Sequence, residues 1–309
     1  MYISYDLTNK NYWAGEIDLI EFGKAKDDKG ISVFNIAIAF NNTNHVLFFY
    51  EEYPGSITDV SQFIYTSDYG YKKMGFILDR GYFSKDNIRY MEENKYASII
   101  MVKDKRELVS SLVEKNLNTF ETDRDYSIRS YRVYGKTVIS KLYEDDTKNR
   151  SFHIYFNPSK QAAKRELLGL TLDKMKLYLD KHIGKEIPLS KVYHDYFDLY
   201  YDKKGHLISY EENKDFIQRK LRLCGYFCII TSEKMTAAET LIQYKGRDVS
   251  EKLFSADKSF IDSKSMRVQT TEALSVKVFI EFIALIVRNR IYNLLKETML
   301  GLETKSNCN

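Results

Sequence analysis

The sequence has 309 residues, with 47 lysines and arginines, 43 aspartates and glutamates, and three cysteines. Its hydrophobic fraction of 44% and aromatic fraction of 14% exclude an intrinsically disordered chain, and its three prolines exclude a proline-rich repeat. The few cysteines argue against a disulfide scaffold, and the longest apolar run, residues 278–287, is too short for the ~20 residues of a membrane span. We therefore expect a soluble, cytosolic protein with two domains, or with one domain that carries a large insertion.

The first hundred residues alternate short apolar runs with helical patterns, which is typical of a mixed sheet with helices on its faces. Turn residues and helix caps delimit these elements. Strands are predicted at residues 2–7, 33–40, 46–50, 75–78 and 97–102, and helices at about 58–69 and 84–94.

Between residues 104 and 223 the pattern changes to alternating segments around one lysine-rich helix. Strands are predicted at 126–133, 137–143 and 152–156, the helix at 159–182, and a hairpin at 196–201 and 206–210. A strand at 225–231 and two long helices, at about 236–257 and 270–299, close the chain. The sequence thus predicts a β-rich insertion over 104–223 that interrupts a core formed by 1–103 and 224–309.

The charge is unevenly distributed along the chain. The first 60 residues contain four lysines and nine acidic residues, so the remainder carries 43 basic against 34 acidic groups. An acidic start joined to a basic, tyrosine-rich remainder is compatible with binding of a polyanion, although such an imbalance is more often only a solvated surface.

Two aspartates lie at predicted strand ends. Asp6 follows Tyr5 in the first strand, and Asp79 follows Leu78 in a later one. Ligands of α/β sheets bind at this rim, so both carboxylates are candidate site residues.

A third acidic residue, Glu251, belongs to an unusual helical pattern. Tyr244, Arg247, Glu251 and Lys258 are separated by three, four and seven residues, which places them within an arc of roughly 60° on one face of a helix. One interpretation is a solvated charged face in which Arg247 pairs with Glu251. The other is a site in which three carboxylates bind hard divalent cations while the tyrosine and the two cations hold phosphates.

The same residues resemble the DDE transposases of bacterial insertion sequences, in particular the insertion-sequence-four-like group. The signature Tyr, two residues, Arg, three residues, Glu, six residues, Lys runs unbroken from Tyr244 to Lys258. Segments 5–8 and 78–84 resemble the two aspartate-bearing strands of that family, and segment 53–59 resembles its Pro-Gly-Asn-Thr-x-Asp turn with Ser56 in place of Asn.

The resemblance implies an α/β fold with a ribonuclease-H-like mixed sheet flanked by helices. It implies that Asp6, Asp79 and Glu251 are catalytic and bind two Mg²⁺ ions, for which Mn²⁺ can substitute, and that Tyr244, Arg247 and Lys258 bind DNA. The expected activity is metal-dependent strand cleavage at transposon ends, followed by strand transfer into target DNA.

The expected partners are double-stranded DNA, as transposon ends and as target, and a second copy of the chain in a synaptic homodimer. Neither a membrane nor a nucleotide cofactor is expected, and the expected location is the bacterial cytoplasm, at the nucleoid. Members of the group usually carry an N-terminal region that recognises the terminal repeats, whereas Asp6 stands at the start of this chain. An alternative is therefore a truncated, inactive remnant that binds DNA or inhibits by hetero-oligomerisation. A ribonuclease-H-fold nuclease unrelated to transposition is disfavoured by the intact signature.

Overall fold

The computed structural model describes nine stretches of the chain, which divide into two compact units. The stretches are residues 2–12, 17, 19–22, 32–42, 44–56, 74–102, 106–146, 148–248 and 265–306. Unit 1 comprises Met1–Asp104, Ile139–Phe152 and Ile229–Asn309, and unit 2 comprises Lys105–Val138 and His153–Cys228.

The described residues form strands and helices in a mixed α/β arrangement. The strands are β1 (Tyr2–Tyr12), β2 (Glu21–Phe22), β3 (Ser32–Asn41), β4 (Val46–Pro54), β5 (Gly75–Leu78), β6 (Ala97–Met101), β7 (Ser127–Ile128), β8 (Val133–Ser140), β9 (Arg150–Phe156), β10 (Phe197–Tyr201), β11 (Leu207–Glu212), β12 (Tyr226–Thr231) and β13 (Ser265–Met266). The helices are α1 (Lys85–Glu93), α2 (Arg106–Glu114), α3 (Pro158–Asp180), α4 (Lys191–Tyr196), α5 (Lys214–Arg222), α6 (Ala237–Gly246) and α7 (Thr271–Ser306).

Unit 1 is built on a large mixed sheet flanked by helices, with β1 near its centre. The strand order is β2-β3-β1-β5-β6-β12, and β4 and β13 add to β3 and β1. β1 pairs antiparallel with β3 and parallel with β5, and β5 pairs parallel with β6. The parallel pairs bring the ends of β5 and β6 to one edge, where a ligand site is expected.

One hydrophobic cluster of unit 1 lies between this sheet and α7. On α7, Leu274, Val278 and Leu285 are buried, and they belong to one cluster with Phe34 and Ile38 of β3. Their spacing of four and seven residues puts them on one side of the helix, which is why a single face of α7 covers the sheet.

One buried ion pair interrupts this apolar interface. Lys10 of β1 and Glu281 of α7 are both almost completely buried, and Lys10 Nζ lies 2.5 Å from Glu281 Oε2. A buried charge is costly unless it is paired, so Glu281 permits the strand to continue past Lys10 into the core.

Unit 2 has its own small core. Helices α3 and α5 pack with the β10–β11 hairpin, whose strands pair from Phe197 opposite Glu212 to Tyr201 opposite Leu207. The fully buried side chains Leu179, Phe197 and Leu207 centre this cluster. Strands β9, β8 and β7 are neighbours in this order in a sheet.

Most predicted elements are confirmed at the secondary-structure level. Strand β5 has the predicted bounds, Ser84 caps α1 by accepting a hydrogen bond from Asn87 N, and β3 and β4 form the predicted antiparallel hairpin. α3 and the β10–β11 hairpin lie within two residues of the predicted positions. The helix predicted at 58–69 lies outside the described residues.

Two predicted strands need correction. The strand predicted at 126–133 is wrong, because two short 3₁₀ turns flank a two-residue strand there and Arg132 has a left-handed backbone with φ 54°. The first strand runs to Tyr12 rather than Leu7. Besides α3, the region predicted as a β-rich insertion contains helices α2, α4 and α5, and residues 139–152 within it group with unit 1.

None of the described helices combines the length and hydropathy of a transmembrane span.

The Lys10–Glu281 pair should contribute strongly to stability. Glu281→Gln should lower the free energy of unfolding by about 3–5 kcal/mol, because it leaves the buried ammonium group without its carboxylate. The partly exposed pair of Lys176 and Glu212 is the matched control, and Glu212→Gln should cost no more than about 1 kcal/mol. Urea unfolding followed by circular dichroism measures both, and equal losses would contradict the burial argument.

Candidate active site

The pairing of β1 with β5 brings the two predicted aspartates together. The strands run parallel, with Tyr5 opposite Leu78. The next residue on each strand is an aspartate, Asp6 on β1 and Asp79 immediately after β5. Since neighbouring strands are about 4.8 Å apart, two carboxylates that are distant in sequence arrive at one position on the sheet.

The sequence predicted Asp6 at the end of its own strand, but the structure places it in the middle of β1. β1 continues to Tyr12, whereas β5 ends at Leu78, so Asp6 lies where its neighbouring strand stops. The end of β5 opens the sheet beside Asp6 and leaves that carboxylate partly accessible, with 15% of its side chain exposed. The strand end that was predicted to form the ligand site is therefore the end of β5 and not the end of β1.

Helix α6 supplies the next two predicted residues. It begins with a capping box, in which Thr236 Oγ1 accepts from Glu239 N while the Glu239 carboxylate accepts from Thr236 N at 2.8 Å. Tyr244 lies in its last turn, and Arg247 follows as the C-cap with helical backbone angles. The spacing of three residues puts both side chains on the same side of the helix.

Arg247 lies between the two aspartates. Its Nη1 atom is 3.3 Å from Asp6 Oδ2 and its Nη2 atom is 3.7 Å from Asp79 Oδ1. Tyr244 Oη donates to the same Asp79 Oδ1 atom over 3.4 Å, and the Arg247 guanidinium lies 5.7 Å from the centre of the Tyr244 ring. On the other side, Leu7 N donates to Asp6 Oδ1 at 2.9 Å, which orients that carboxylate.

Burial reinforces the protonated state of Tyr244. The residue is only 4% exposed, and this burial raises the pKa of its phenol well above the ordinary value, although the neighbouring Arg247 opposes the shift. The phenol therefore keeps its proton at neutral pH and donates to Asp79. Tyr244 and Arg247 are both buried, whereas the Asp79 side chain is 37% exposed.

Sequence reasoning missed one residue that positions this helix. Asn42 Oδ1 accepts from Ser4 Oγ at 2.8 Å, and Asn42 Nδ2 lies 3.5 Å from the carbonyl oxygen of Gln243 in α6. A Cβ atom on Gly246 would come within 3.0 Å of Asn42 Nδ2, so the glycine permits this close approach. The sequence indicated Asn42 only as a hairpin turn residue, and nothing local connects it with position 246.

The remaining predicted site residues, Glu251 and Lys258, lie outside the described residues, as does the part of the predicted helix after Asp248. The structure thus brings together Asp6, Asp79, Tyr244 and Arg247. Within the described stretches there is no group of three or more His, Cys, Asp or Glu side chains that could hold a metal ion.

The chemistry of this donor set suits a cation. Two carboxylates converge on one guanidinium group, so the site already accommodates positive charge between Asp6 and Asp79. Carboxylate oxygens are the ligands that hard divalent cations such as Mg²⁺ and Mn²⁺ prefer. The two aspartates therefore fit the expected metal as two members of its ligand set.

Comparison with known proteins adds a family assignment. The family model described as "Transposase DDE domain" matches residues 10–287. No match to the chain is found among the curated proteins.

A similar solved structure is described as "Cryo-EM structure of piggyBac transposase synaptic complex with hairpin DNA (SNHP)". It is 7% identical with a TM-score of 0.41, over 93% of this chain and 45% of that chain. The present chain thus spans less than half of the length of that transposase chain.

Arg247 should stabilise the folded state because its positive charge offsets the repulsion between Asp6 and Asp79. Arg247→Met should lower the free energy of unfolding by about 2–4 kcal/mol, because Asp6 and Asp79 lose the cation between them. Lys245→Met is the matched control, since this cation is two residues away and pairs with Asp248 in a more exposed position. It should cost no more than about 0.5 kcal/mol. If guanidinium chloride unfolding gives the same loss for both variants, Arg247 does not have this role.

Proposed function

The chain belongs to the transposase DDE-domain family, and we propose that it is a DNA transposase. In this proposal the protein cleaves DNA strands at the ends of a transposable element and transfers them into target DNA. The observation that carries it is the convergence of Asp6, Asp79, Tyr244 and Arg247 in unit 1. These residues lie in three distant parts of the sequence, and the fold places them at one position.

The proposed metal ligands are Asp6, Asp79 and Glu251. The first two are adjacent in the structure, and Glu251 completes the set from the sequence signature. Two bound Mg²⁺ or Mn²⁺ ions would supply a water of lowered pKa as the nucleophile and would stabilise the leaving 3′ oxygen.

The residues of the chain have distinct parts in this proposal. Leu7 N holds one oxygen of Asp6, which leaves Oδ2 directed toward Arg247. The protonated phenol of Tyr244 fixes Asp79 in the same way. Both carboxylates are thus oriented before any ligand arrives, and preorganised charges need not rearrange during the reaction.

We further propose that Tyr244, Arg247 and Lys258 contact DNA phosphates near the scissile bond. The planar fork of Arg247 faces two carboxylate groups in this structure, and the same fork can face two oxygens of a phosphate. Lys258 would act as a point charge. Phosphate contacts of this kind position DNA without reading its sequence.

The finer assignments are also proposals. The unbroken signature from Tyr244 to Lys258 supports the insertion-sequence-four-like group. The adjacency of the two aspartate-bearing strands in the mixed sheet of unit 1 supports a ribonuclease-H-like core. We propose a synaptic homodimer that binds transposon ends and target DNA in the bacterial cytoplasm, at the nucleoid.

The test is cleavage of a plasmid that carries the DNA flanking this gene on both sides. With Mg²⁺ or Mn²⁺, the full chain should nick or cut the plasmid at those flanks. Asp79→Asn and Glu251→Gln should each lower the cleavage rate at least ~100-fold, because each removes one proposed metal ligand. Mapping of the cut sites on sequencing gels measures both position and rate.

The matched control is Asp145→Asn. Asp145 is an exposed carboxylate of unit 1 that pairs with Lys85 and Arg89. Its loss removes the same charge and should leave the rate within about twofold of the wild type. A chain that binds the flanking DNA but never cuts it would overturn the enzymatic proposal and favour the inactive DNA-binding or hetero-oligomerising alternative.

A further inference from the structure

Helix α7 has two apolar faces, although only one of them covers the sheet. The buried face contains Leu274, Val278, Leu285 and the paired Glu281. At ~100° per residue, a second group of aliphatic side chains lies on the opposite side of the helix, within an arc of roughly 80°. This group, the α7 stripe, consists of Val276, Ile280, Ile283, Val287, Ile291 and Leu294.

The stripe is exposed along its whole length. Its six residues are between 43% and 60% exposed, and Phe279 and Leu295 beside it are exposed to a similar degree. The stripe extends over 18 residue steps of the helix, or about 27 Å. No charged residue falls within its arc, which distinguishes it from the mixed surface that a solvated helix normally presents.

The exposed area is large enough for a stable protein interface. A half-exposed aliphatic or aromatic side chain presents on the order of 100 Å², so these eight residues present roughly 800 Å². The largest apolar patch on a typical monomer is about 300–600 Å². Each partner in a standard-size protein interface contributes about 800 Å².

The pattern of the stripe is complementary to itself. When two α7 helices pack antiparallel with Ile280 opposite Ile283 of the partner subunit, Val276 meets Val287 of the partner subunit by the same symmetry. Glu272 and Arg290 lie at the same edge of the stripe, and this register brings Glu272 beside Arg290 of the partner subunit. A two-fold interface requires a patch that matches itself in this way.

We propose that the α7 stripe is the interface through which two copies of this chain form an antiparallel helix pair. The interface buries aliphatic side chains at its centre and pairs opposite charges at its edge. It is formed by unit 1 alone and does not depend on DNA, on metal or on the proposed chemistry.

The test is the molar mass of the purified full chain without DNA. Light scattering after size-exclusion chromatography should give twice 36.4 kDa at protein concentrations from about 1 to about 100 µM. This range is used because the dissociation constants of interfaces of this size vary from weak to tight. Ile280→Glu should raise the dimer dissociation constant at least ~30-fold, because it buries a carboxylate at the centre of the interface.

Tyr292→Glu is the control on the same helix. Tyr292 is 56% exposed but lies about 145° from the centre of the stripe, so this variant should remain a dimer. Circular dichroism should show that both variants are folded. A monomeric wild type, a dimeric Ile280→Glu variant or an equally weakened Tyr292→Glu variant would each overturn the proposal.

A charge exchange tests the register. Arg290→Glu should weaken the dimer about threefold or more, since it places two carboxylates side by side, and Glu272→Arg in the same chain should restore the affinity. If the double variant dimerises no more tightly than Arg290→Glu alone, the antiparallel register is wrong.

Discussion

The candidate site depends on one electrostatic constraint, which is that two carboxylates placed side by side need a cation between them. Backbone pairing of β1 with β5 fixes Asp6 beside Asp79, and their mutual repulsion is a consequence of that pairing. Arg247 relieves it with one guanidinium nitrogen near each carboxylate. Lysine has a single charged nitrogen, whereas the planar fork of arginine directs a separate nitrogen toward each carboxylate.

The elements around the site hold helix α6 in place and thereby position the guanidinium group of Arg247. The capping box at Thr236 fixes the start of α6, and the contact of Asn42 with the carbonyl of Gln243 holds its end. Gly246 permits the helix to come this close, which places Arg247 over the sheet. The site is therefore assembled from rigid elements of unit 1, and rigid support is what a preorganised arrangement of charges requires.

The same electrostatics connect the structure with the proposed function. A pair of carboxylates that stabilises a guanidinium group also attracts divalent cations, and both kinds of cation compete for the same oxygens. In the proposed reaction, positive charge that enters between Asp6 and Asp79 weakens their hold on Arg247. The guanidinium group of Arg247 would then be available to pair with a DNA phosphate instead. Metal binding and DNA binding would therefore favour each other at this site.

Nearby residues in the sequence predict the bounds of some elements well. The prediction fails where contacts with residues distant in sequence determine where an element ends. The bounds of β5 and the cap of α1 follow from nearby turn and cap residues, and the structure confirms both. By contrast, the sequence predicted that β1 ends at Leu7, and the strand runs to Tyr12. The strand continues because β3 pairs along it and because Glu281, 271 residues away, neutralises Lys10.

The candidate site shows the same division. The sequence identifies Asp6, Asp79, Tyr244 and Arg247 as candidates, because their spacing and their resemblance to a known signature are visible along the chain. It does not show that Arg247 faces the two aspartates, since this contact depends on how α6 lies on the sheet. Asn42 could not be identified either, because its role is a contact with a helix 201 residues later in the chain.

Helix α7 shows why an apolar run alone does not determine burial. The run at 278–287 predicts a buried helix, yet Ile280, Ile283 and Val287 are about half exposed while Val278 and Leu285 are covered by the sheet. The position of Glu281 follows from the same geometry, since it lies on the covered side, where Lys10 can reach it. Burial of this outer face removes its aliphatic side chains from water, which is favourable in free energy. It therefore favours the proposed pairing of two α7 helices over a helix face that remains in water.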